Sequence, residues 1–89
     1  MTDDGSTLLD FPTDFPVKIM GEARADFVQT MIELVQRHAP EFNADTVETR
    51  ASSNGKYRSI TCTIRATSKA QLDALYQEIT SHPWVNMAL

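Results

Sequence analysis

The stretch from Lys56 to Ala66 alternates strictly between two kinds of side chain over the length of a full β-strand. The apolar or small positions are Ile60, Cys62, Ile64 and Ala66, and the positions that alternate with them are Tyr57, Ser59, Thr61, Thr63 and Arg65. A period of two predicts a half-buried strand and fits no helix. The chain therefore contains at least one sheet that has a core face and an outer face.

The dipeptide Asn54-Gly55 stands just before this strand and predicts a tight hairpin. Both residues tolerate the positive φ that the two central positions of a two-residue hairpin turn require. A turn centred there places Arg50 opposite Ser59, so that polar side chains pair on the outer face. A slip of one residue would mix the two faces, and the alternation therefore predicts the register of a hairpin over residues 46–66.

Length and composition indicate one soluble globular domain. The 89 residues are 42% hydrophobic and 22% charged, as in an ordinary folded domain, and no apolar run approaches the roughly 18 residues of a membrane-spanning helix. The N-terminus is acidic, which is the wrong sign for a secretory signal. The single cysteine, Cys62, has no partner for an internal disulfide. We therefore expect a cytoplasmic protein that has no membrane partner.

Charge is distributed unevenly along the chain. The formal net charge of −4 disfavours nucleic acid as a partner, because Lys and Arg supply most of the affinity for phosphate. The hairpin over residues 46–66, in contrast, has four cationic residues against one acidic residue. We predict that it binds a protein partner through Arg50, Lys56, Tyr57 and Arg58, although charges on an edge strand also keep sheets from aggregating.

Hydrophobic periodicity predicts the other elements. Residues 1–8 are polar and aperiodic, which predicts a disordered tail, and residues 9–89 would form a single domain. The predicted elements outside the hairpin are a strand from Phe15 to Met20 ended by Gly21, a helix from Ala25 to Ala39, a second helix capped by Ser68 and ended before His82, and a strand from Trp84 to Leu89.

The resulting order of elements is that of the α+β ferredoxin-like βαββαβ fold. Right-handed crossovers give a four-stranded antiparallel sheet in the spatial order 4-1-3-2, with both helices on one face. The other face stays open, and a protein partner or a second copy of the chain can pair with it. The side chains expected on that face are Lys18, Arg50, Thr61, Thr63 and Asn86, whereas Val85, Met87 and Leu89 would share the opposite side of the last strand.

No motif with chemistry of its own occurs in the sequence. The patterns C-x-x-C, H-E-x-x-H, G-x-G-x-x-G and the Walker loop are missing, and so are the aromatic residues on which an RNA-recognition sheet stacks bases. We therefore predict no catalytic residues, no metal site and no cofactor, and we expect that the protein is not an enzyme. His38 is interpreted as a structural residue at a helix C-terminus, His82 as a loop residue and Cys62 as a small core hydrophobe.

Several short motifs together resemble the YbeD family of small bacterial proteins. They are Leu9-Asp10-Phe11-Pro12, Phe15-Pro16, Lys18, Met20-Gly21, residues 35–40, residues 52–59 and Val85-Asn86-Met87-Ala88-Leu89. The resemblance implies a ferredoxin-like fold similar to the ACT-type regulatory domains, in a cytosolic protein of unknown biochemical function. It offers no catalytic residues, and it carries an association with lipoate metabolism through gene neighbourhood.

Two classes of function stay open at this point. The first is a regulatory or protein-interaction module that uses the open sheet face or an edge strand. The alternative is an ACT-like sensor for an amino acid or a related anion, held at the turn after the first strand by Gly21, Glu22 and Ala23, where backbone N–H groups can meet an anion. Gly21 has a second interpretation, since glycine also permits a turn that a side chain would strain.

Overall fold

The computed structural model describes residues 10–89, and the predicted tail at residues 1–8 lies outside them. The elements follow one another as predicted for a βαββαβ chain. They are β1 (Thr13–Glu22), α1 (Phe27–His38), a short 3-10 helix (Ala44–Thr46), β2 (Glu48–Ala51), β3 (Tyr57–Ala66), α2 (Lys69–Ser81) and β4 (Val85–Ala88).

The four strands form one antiparallel sheet in the order β2-β3-β1-β4, which is the predicted order read from the other edge. The β3 side chains of Ile60, Cys62 and Ile64 are buried in one core cluster with side chains from both helices. Both helices therefore cover the same face of the sheet, and the core lies between the two layers. The predicted ferredoxin-like fold is confirmed.

The first strand is longer than predicted, because Gly21 lies within it and does not end it. Gly21 pairs with Arg58 of β3 and with Val85 of β4. A Cβ atom added at Gly21 would overlap the carbonyl oxygen of Trp84 and lie 2.6 Å from Cε1 of Phe27. Glycine is therefore needed here because two neighbours approach the backbone closely, and not because the chain turns.

The helix α1 is shorter than the predicted helix over residues 25–39. The Phe27 N–H donates to the Arg24 carbonyl at 3.1 Å, so the chain makes a separate turn before the helix begins. Most of the predicted apolar stripe is buried against the sheet. Its buried members are Phe27, Met31, Ile32, Leu34 and Val35.

The helix α2 begins at the predicted cap. Ser68 Oγ accepts a hydrogen bond from the Gln71 N–H at 3.0 Å, as expected for a capping box. The Gln71 side chain reaches one residue further back than in the usual box, and its Oε1 accepts from the Thr67 N–H at 2.7 Å.

The hairpin has the predicted register but not the predicted turn. The connection between β2 and β3 is a four-residue loop over residues 53–56, closed by the Ser52 N–H donating to the Tyr57 carbonyl at 2.9 Å. The Ser52 carbonyl accepts instead from the Gly55 N–H at 3.0 Å, and Gly55 has a positive φ of 76°. Loops of two and four residues differ by an even number, so both bring the same faces together.

The predicted facing of β4 is wrong because this strand contains a β-bulge. Gly21 pairs with Val85, but the preceding residue of β1, Met20, pairs with Met87, so Asn86 has no partner. The extra residue shifts the alternation by one position. Met87 therefore lies on the open face, where Asn86 was expected.

Leu89 extends this geometry beyond the end of β4. Its N–H donates to the Lys18 carbonyl at 2.8 Å, and its carbonyl accepts from the Lys18 N–H at 3.1 Å. Residues that exchange both hydrogen bonds lie directly opposite each other, so the Leu89 side chain lies beside Lys18 on the open face. Val85 and Ala88 pack against the core instead. The prediction that Val85, Met87 and Leu89 share one face is therefore wrong.

Candidate functional site

Two rows of side chains cross the middle of the open face, and each row has one residue from β2, one from β3, one from β1 and one from residues 87–89 beside β1. From β2 to β4, the first row is Arg50, Ser59, Met20 and Met87, and the second row is Glu48, Thr61, Lys18 and Leu89. Adjacent members of a row are cross-strand neighbours, whose side chains are close enough to act together on one ligand.

The two rows enclose a trough that runs along β3. The floor consists of the short side chains of Ser59 and Thr61, while the neighbouring strands β2 and β1 contribute longer side chains that form the two walls. The depression has a volume of about 400 Å³, and all eight residues of the two rows line it. We call this depression the trough.

The large apolar side chains that stay exposed are concentrated on the open face. Among residues 10–89 they are Met20, Tyr57, Met87 and Leu89, with exposed fractions of 41%, 40%, 48% and 68%. Three of the four line the trough, and Tyr57 lies on the same face of β3 as Ser59. Single exposed apolar residues are ordinary, but their clustering is typical of a surface that binds something.

The trough also contains cations that have no counter-charge of their own. Lys18 and Arg50 lie on opposite walls, and neither has an ion-pair partner among residues 10–89. Further along the same face, Arg65 pairs with Asp14 at 3.3 Å. The trough therefore offers two cations to a ligand, with Glu48 as the acid beside them.

The four residues predicted to bind a partner do not form one surface. Arg50 lies on a wall of the trough, and Tyr57 lies on the open face near it. Lys56 is exposed in the hairpin loop. Arg58 stands between Tyr57 and Ser59 in β3 and pairs with Ala51, so its side chain lies on the other face of the sheet from the trough. That these residues bind a partner stays a prediction, and only Arg50 and Tyr57 share a face with the trough.

The three residues predicted to bind a small anion lie at the end of β1 and just after it. The Glu22 N–H donates to the Trp84 carbonyl at 3.0 Å, and the Ala23 N–H donates to the Lys56 carbonyl at 3.1 Å. These two amides are already engaged, and Gly21 is buried. Anion binding at this turn stays a prediction that draws no support from the backbone donors on which it was based.

The side chains around this turn form a small cluster of their own. The Arg24 guanidinium lies 4.6 Å from the centroid of the Trp84 ring, within the range of a cation–π contact, and its Nε donates to Glu22 at 2.8 Å. His82 Nδ1 accepts from the Trp84 N–H at 3.1 Å. Glu22 and His82 therefore both have structural partners.

His38 joins the two helices. Its Nε2 lies 2.5 Å from Glu78 Oε1, and the Arg37 guanidinium pairs with the other carboxylate oxygen. The hydrogen bond from His38, followed by that from Arg37, holds the pKa of Glu78 below its ordinary value. The Gln71 amide donates to the His38 carbonyl at 2.8 Å. All of these contacts agree with a structural role for His38.

Cys62 lies in the core, where burial raises the pKa of its thiol to about 11. A thiol of that pKa has very little of the reactive thiolate form at neutral pH. Within the part of the chain that the structure describes, no three side chains of His, Cys, Asp or Glu come together as a metal site. The trough is therefore the arrangement of side chains that most needs a functional explanation.

Comparison with known proteins places the chain in a family. The family model described as "Protein of unknown function (DUF493)" matches residues 6–89, and a UPF0250 protein of Nitrosomonas europaea is 49% identical over 93% of this chain and 95% of its own length. The chain belongs to the DUF493 family. A UPF0250 protein of Ralstonia nicotianae is 47% identical over 93% of this chain and 86% of its own length. UPF0250 is the YbeD family, so the resemblance found in the motifs is confirmed.

Two solved structures share the fold of this DUF493 protein. The solution structure of protein HP0495 from H. pylori aligns with a TM-score of 0.70 and 15% identity over 91% of this chain and 85% of that one. The C-terminal domain of the MgtC protein from Mycobacterium tuberculosis aligns with a TM-score of 0.55 and 15% identity over 91% and 88% of the two chains. Within residues 10–89, no helix is long and apolar enough to cross a membrane.

Interpretation of the DUF493 sequence missed Met87 and Leu89 as residues of the trough. One signal pointed to them: alternation along the predicted strand from Phe15 to Met20 places Met20 on the same outer face as Lys18, on a surface that was otherwise expected to be polar. An exposed methionine in a central strand needs an apolar neighbour on the adjacent strand to form a patch, and β4 is that strand. The bulge at Asn86 supplies the neighbour.

Proposed function

We propose that this DUF493 protein is a small regulatory or protein-interaction module that binds a partner protein on the open face of its sheet. The observation that carries the proposal is the coincidence of two features in the trough. Exposed apolar side chains, among them Met20 and Met87, lie next to Lys18 and Arg50, which have no counter-charge among residues 10–89. Covering the apolar area stabilises a complex, and the free cations favour a partner of opposite charge.

The shape of the trough supports a protein ligand over a small molecule. A site for a small molecule encloses most of its ligand's surface, whereas the trough is a depression on the face of the sheet that carries no helix. Sensing of an amino acid at Gly21, Glu22 and Ala23 has weaker support, since the amides of Glu22 and Ala23 already donate to carbonyl groups.

We propose binding, and not catalysis, as the activity, and the cytoplasm as its location. The close pair of titratable side chains formed by His38 and Glu78 lies between the helices, on the side of the sheet away from the trough. The free thiol of Cys62 fits a reducing compartment.

The test compares two double variants by quantitative affinity purification from a lysate of the source bacterium. Met20→Glu with Met87→Glu adds two carboxylates to the trough. The matched control, Ala70→Glu with Gln77→Glu, adds two carboxylates at exposed positions of α2. Circular dichroism verifies that all three proteins are folded.

We expect the wild type and the control to retain the same partner. The trough variant should retain at least about ten-fold less of it, the scale of loss seen when an interface centre is disrupted. A specific partner that both variants retain equally would contradict docking on the open face.

A further inference from the structure

We infer that the trough accepts one amphipathic helix of the partner protein, with carboxylates on both sides of the helix's apolar stripe. The inference rests on the proposed function and states which kind of ligand the open face selects. It follows from the width of the trough, from the pairing of the backbone below it, and from the chemistry of its walls.

The width of the trough matches a single helix. Its walls belong to β2 and β1, which lie on either side of β3, so they stand two strand spacings apart, about 10 Å. A helix with its side chains is about 10–12 Å across, so one helix lies over the trough and touches the side chains of both walls. The low floor continues from Ser59 through Thr61 to Thr63, a distance of about 13 Å at the rise of a strand. That length accommodates about two to three helical turns.

The backbone beneath the trough favours a helix over an extended segment. The central strand β3 is paired with β2 on one side and with β1 on the other. Extended peptides gain their main-chain hydrogen bonds at the edges of sheets, so one lying across this face would leave its own N–H and C=O groups without partners from the protein. A helix pairs most of these groups internally.

The apolar side of the trough fits the stripe of such a helix. Met20 and Met87 are directly opposite each other, and Leu89 lies in the next row. Methionine side chains are flexible and polarizable, so they adapt to a bulky partner surface. Apolar residues at positions i, i+3, i+4 and i+7 of a helix form a broad stripe that would lie over the floor of the trough and reach Met20 on the β1 wall, with Met87 and Leu89 beyond it.

The charges of the trough specify the flanks of the helix. Lys18 and Arg50 rise from opposite walls, so a helix lying between them presents one flank to each. Carboxylates on those flanks would pair with both cations, whereas lysines in the same positions would be repelled. Glu48 lies next to Arg50 on the same wall, in the neighbouring row. Its carboxylate repels an acidic residue at that end of the bound helix, so the helix has a preferred direction.

A second copy of the chain is a poorer occupant on grounds of charge. A two-fold symmetric pair would bring the same surface to both sides of the interface. Lys18 and Arg50 of both copies would then be confined together, with one Glu48 from each copy to offset them. Like charges confined in an interface oppose association.

The test uses three synthetic peptides of equal length and follows their binding to the 15N-labelled protein by NMR titration. The first peptide has leucines at helical spacing with glutamates on both flanks. The second has lysines in place of those glutamates. The third has the composition of the first in a strictly alternating order that suits an extended chain. We expect the first peptide to bind at least about ten-fold more tightly than the other two, with shifted resonances at the residues of the trough.

A charge-reversed protein provides the matched control. Lys18→Glu with Arg50→Glu should invert the preference, so that the lysine peptide binds more tightly than the glutamate peptide. Lys56→Glu, which changes an exposed residue of the hairpin loop, should leave the original preference in place. A preference that the double reversal does not change would overturn the inference.

The other outcomes separate this inference from the proposed function. If the alternating peptide binds in the trough as tightly as the first peptide, the ligand is not specifically a helix. The same conclusion follows if no peptide binds while the trough variant still loses its cellular partner. Either outcome would overturn the inference of a helical ligand but leave docking on the open face intact. Sedimentation would show whether the wild type self-associates. If it does, and if Met20→Glu with Met87→Glu abolishes the self-association, a second copy of the chain is the occupant and the inference of a helical ligand is overturned. Peptide resonance shifts confined to α1 and α2, together with a partner that the trough variant retains, would overturn both.

Discussion

Met20 and Met87 lie directly opposite each other on β1 and β4, next to a bulge at which Asn86 has no partner. Both side chains are exposed on the face of the sheet that carries no helix. Neither contributes to the core between sheet and helices, so binding on this face and stability of the fold depend on different residues.

Ile64→Asp is expected to unfold the domain, whereas Thr63→Asp is expected to leave it folded. Ile64 is 1% exposed, and an unpaired carboxylate in the core costs roughly 3 kcal/mol or more. Thr63 lies on the open face, where surface substitutions change stability by about 0.5 kcal/mol. Denaturant titration of both variants measures the difference. Equal losses would mean that the facing of β3 is misassigned.

Gly21→Ala is expected to destabilise the protein by about 1–3 kcal/mol, the usual effect of overpacking. The added methyl group would overlap the Trp84 carbonyl and the ring of Phe27, and neither can move without disturbing the sheet or the core. Gly55→Ala is the control, because space around Gly55 is open and the substitution strains only the backbone. Thermal unfolding should rank Gly21→Ala as the more damaging change if close packing explains the glycine.

Glu78→Gln is expected to destabilise the protein near neutral pH and to lose this effect in acid. His38 and then Arg37 hold the pKa of Glu78 below its ordinary value. A carboxyl group whose pKa is lower in the folded state adds stability above its unfolded pKa, about 4.3, and loses it as the pH falls through the folded pKa. Because the side chain is 38% exposed, solvent screening keeps the effect small.

The measurement for Glu78 is the free energy of unfolding of wild type and variant between pH 7 and pH 3. The difference between the two should shrink toward zero at the acid end. Glu33→Gln is the matched control, since Glu33 lies on the other helix and accepts from the Gln29 amide at 3.1 Å. A difference at Glu78 that does not change with pH would contradict the assignment.

Arg50→Glu is expected to weaken the partner complex, and Lys56→Glu is expected to have a much smaller effect. The two residues belong to one cationic hairpin in the sequence, but Arg50 lines the trough while Lys56 lies in the loop. Exposed interface charges act mainly on the association rate, so raising the salt concentration should slow association of the unmutated protein as well. Association kinetics at two salt concentrations would show both effects, and equal losses from the two variants would point to the loop as the docking site.

Cys62 is expected to resist alkylation in the folded protein. Burial of its thiol raises the pKa to about 11, so reaction with a thiol reagent should require opening of the fold and be far slower than the reaction of a free thiol. Mass spectrometry after timed labelling with iodoacetamide, with and without denaturant, measures this. Rapid labelling of the native protein would reveal an opening motion of β3.

The central hairpin was predictable because its information is local. Alternation along β3 defines both faces, and the register survives the change of turn type because the two-residue and the four-residue loop have the same centre, between Asn54 and Gly55. The same local pattern located Lys18, Met20 and Arg50 on the open face. These residues make up much of the trough.

The remaining parts of the trough depend on contacts between residues that are distant in sequence. The facing of Met87 is set by how β4 pairs with β1, and alternation within β4 alone carries no trace of the bulge. The sequence predicted a turn at Gly21, because the backbone freedom of glycine is a property of that residue alone and needs no knowledge of distant neighbours. The actual reason for this glycine is the approach of Trp84, which follows more than sixty residues later in the chain.

The bulge places the segment from Met87 to Leu89 out of phase with Val85 by one residue. The unpaired Asn86 absorbs that shift, so a homologue without this residue would have a regular β4 in which Val85 still lies opposite Gly21 and Met87 still lies opposite Met20. Two homologues that differ by one residue there would therefore present the same apolar edge of the open face, although alternation along their sequences assigns that edge to opposite sides. At this strand, a one-residue gap in an alignment is no sign that two relatives recognise different molecules.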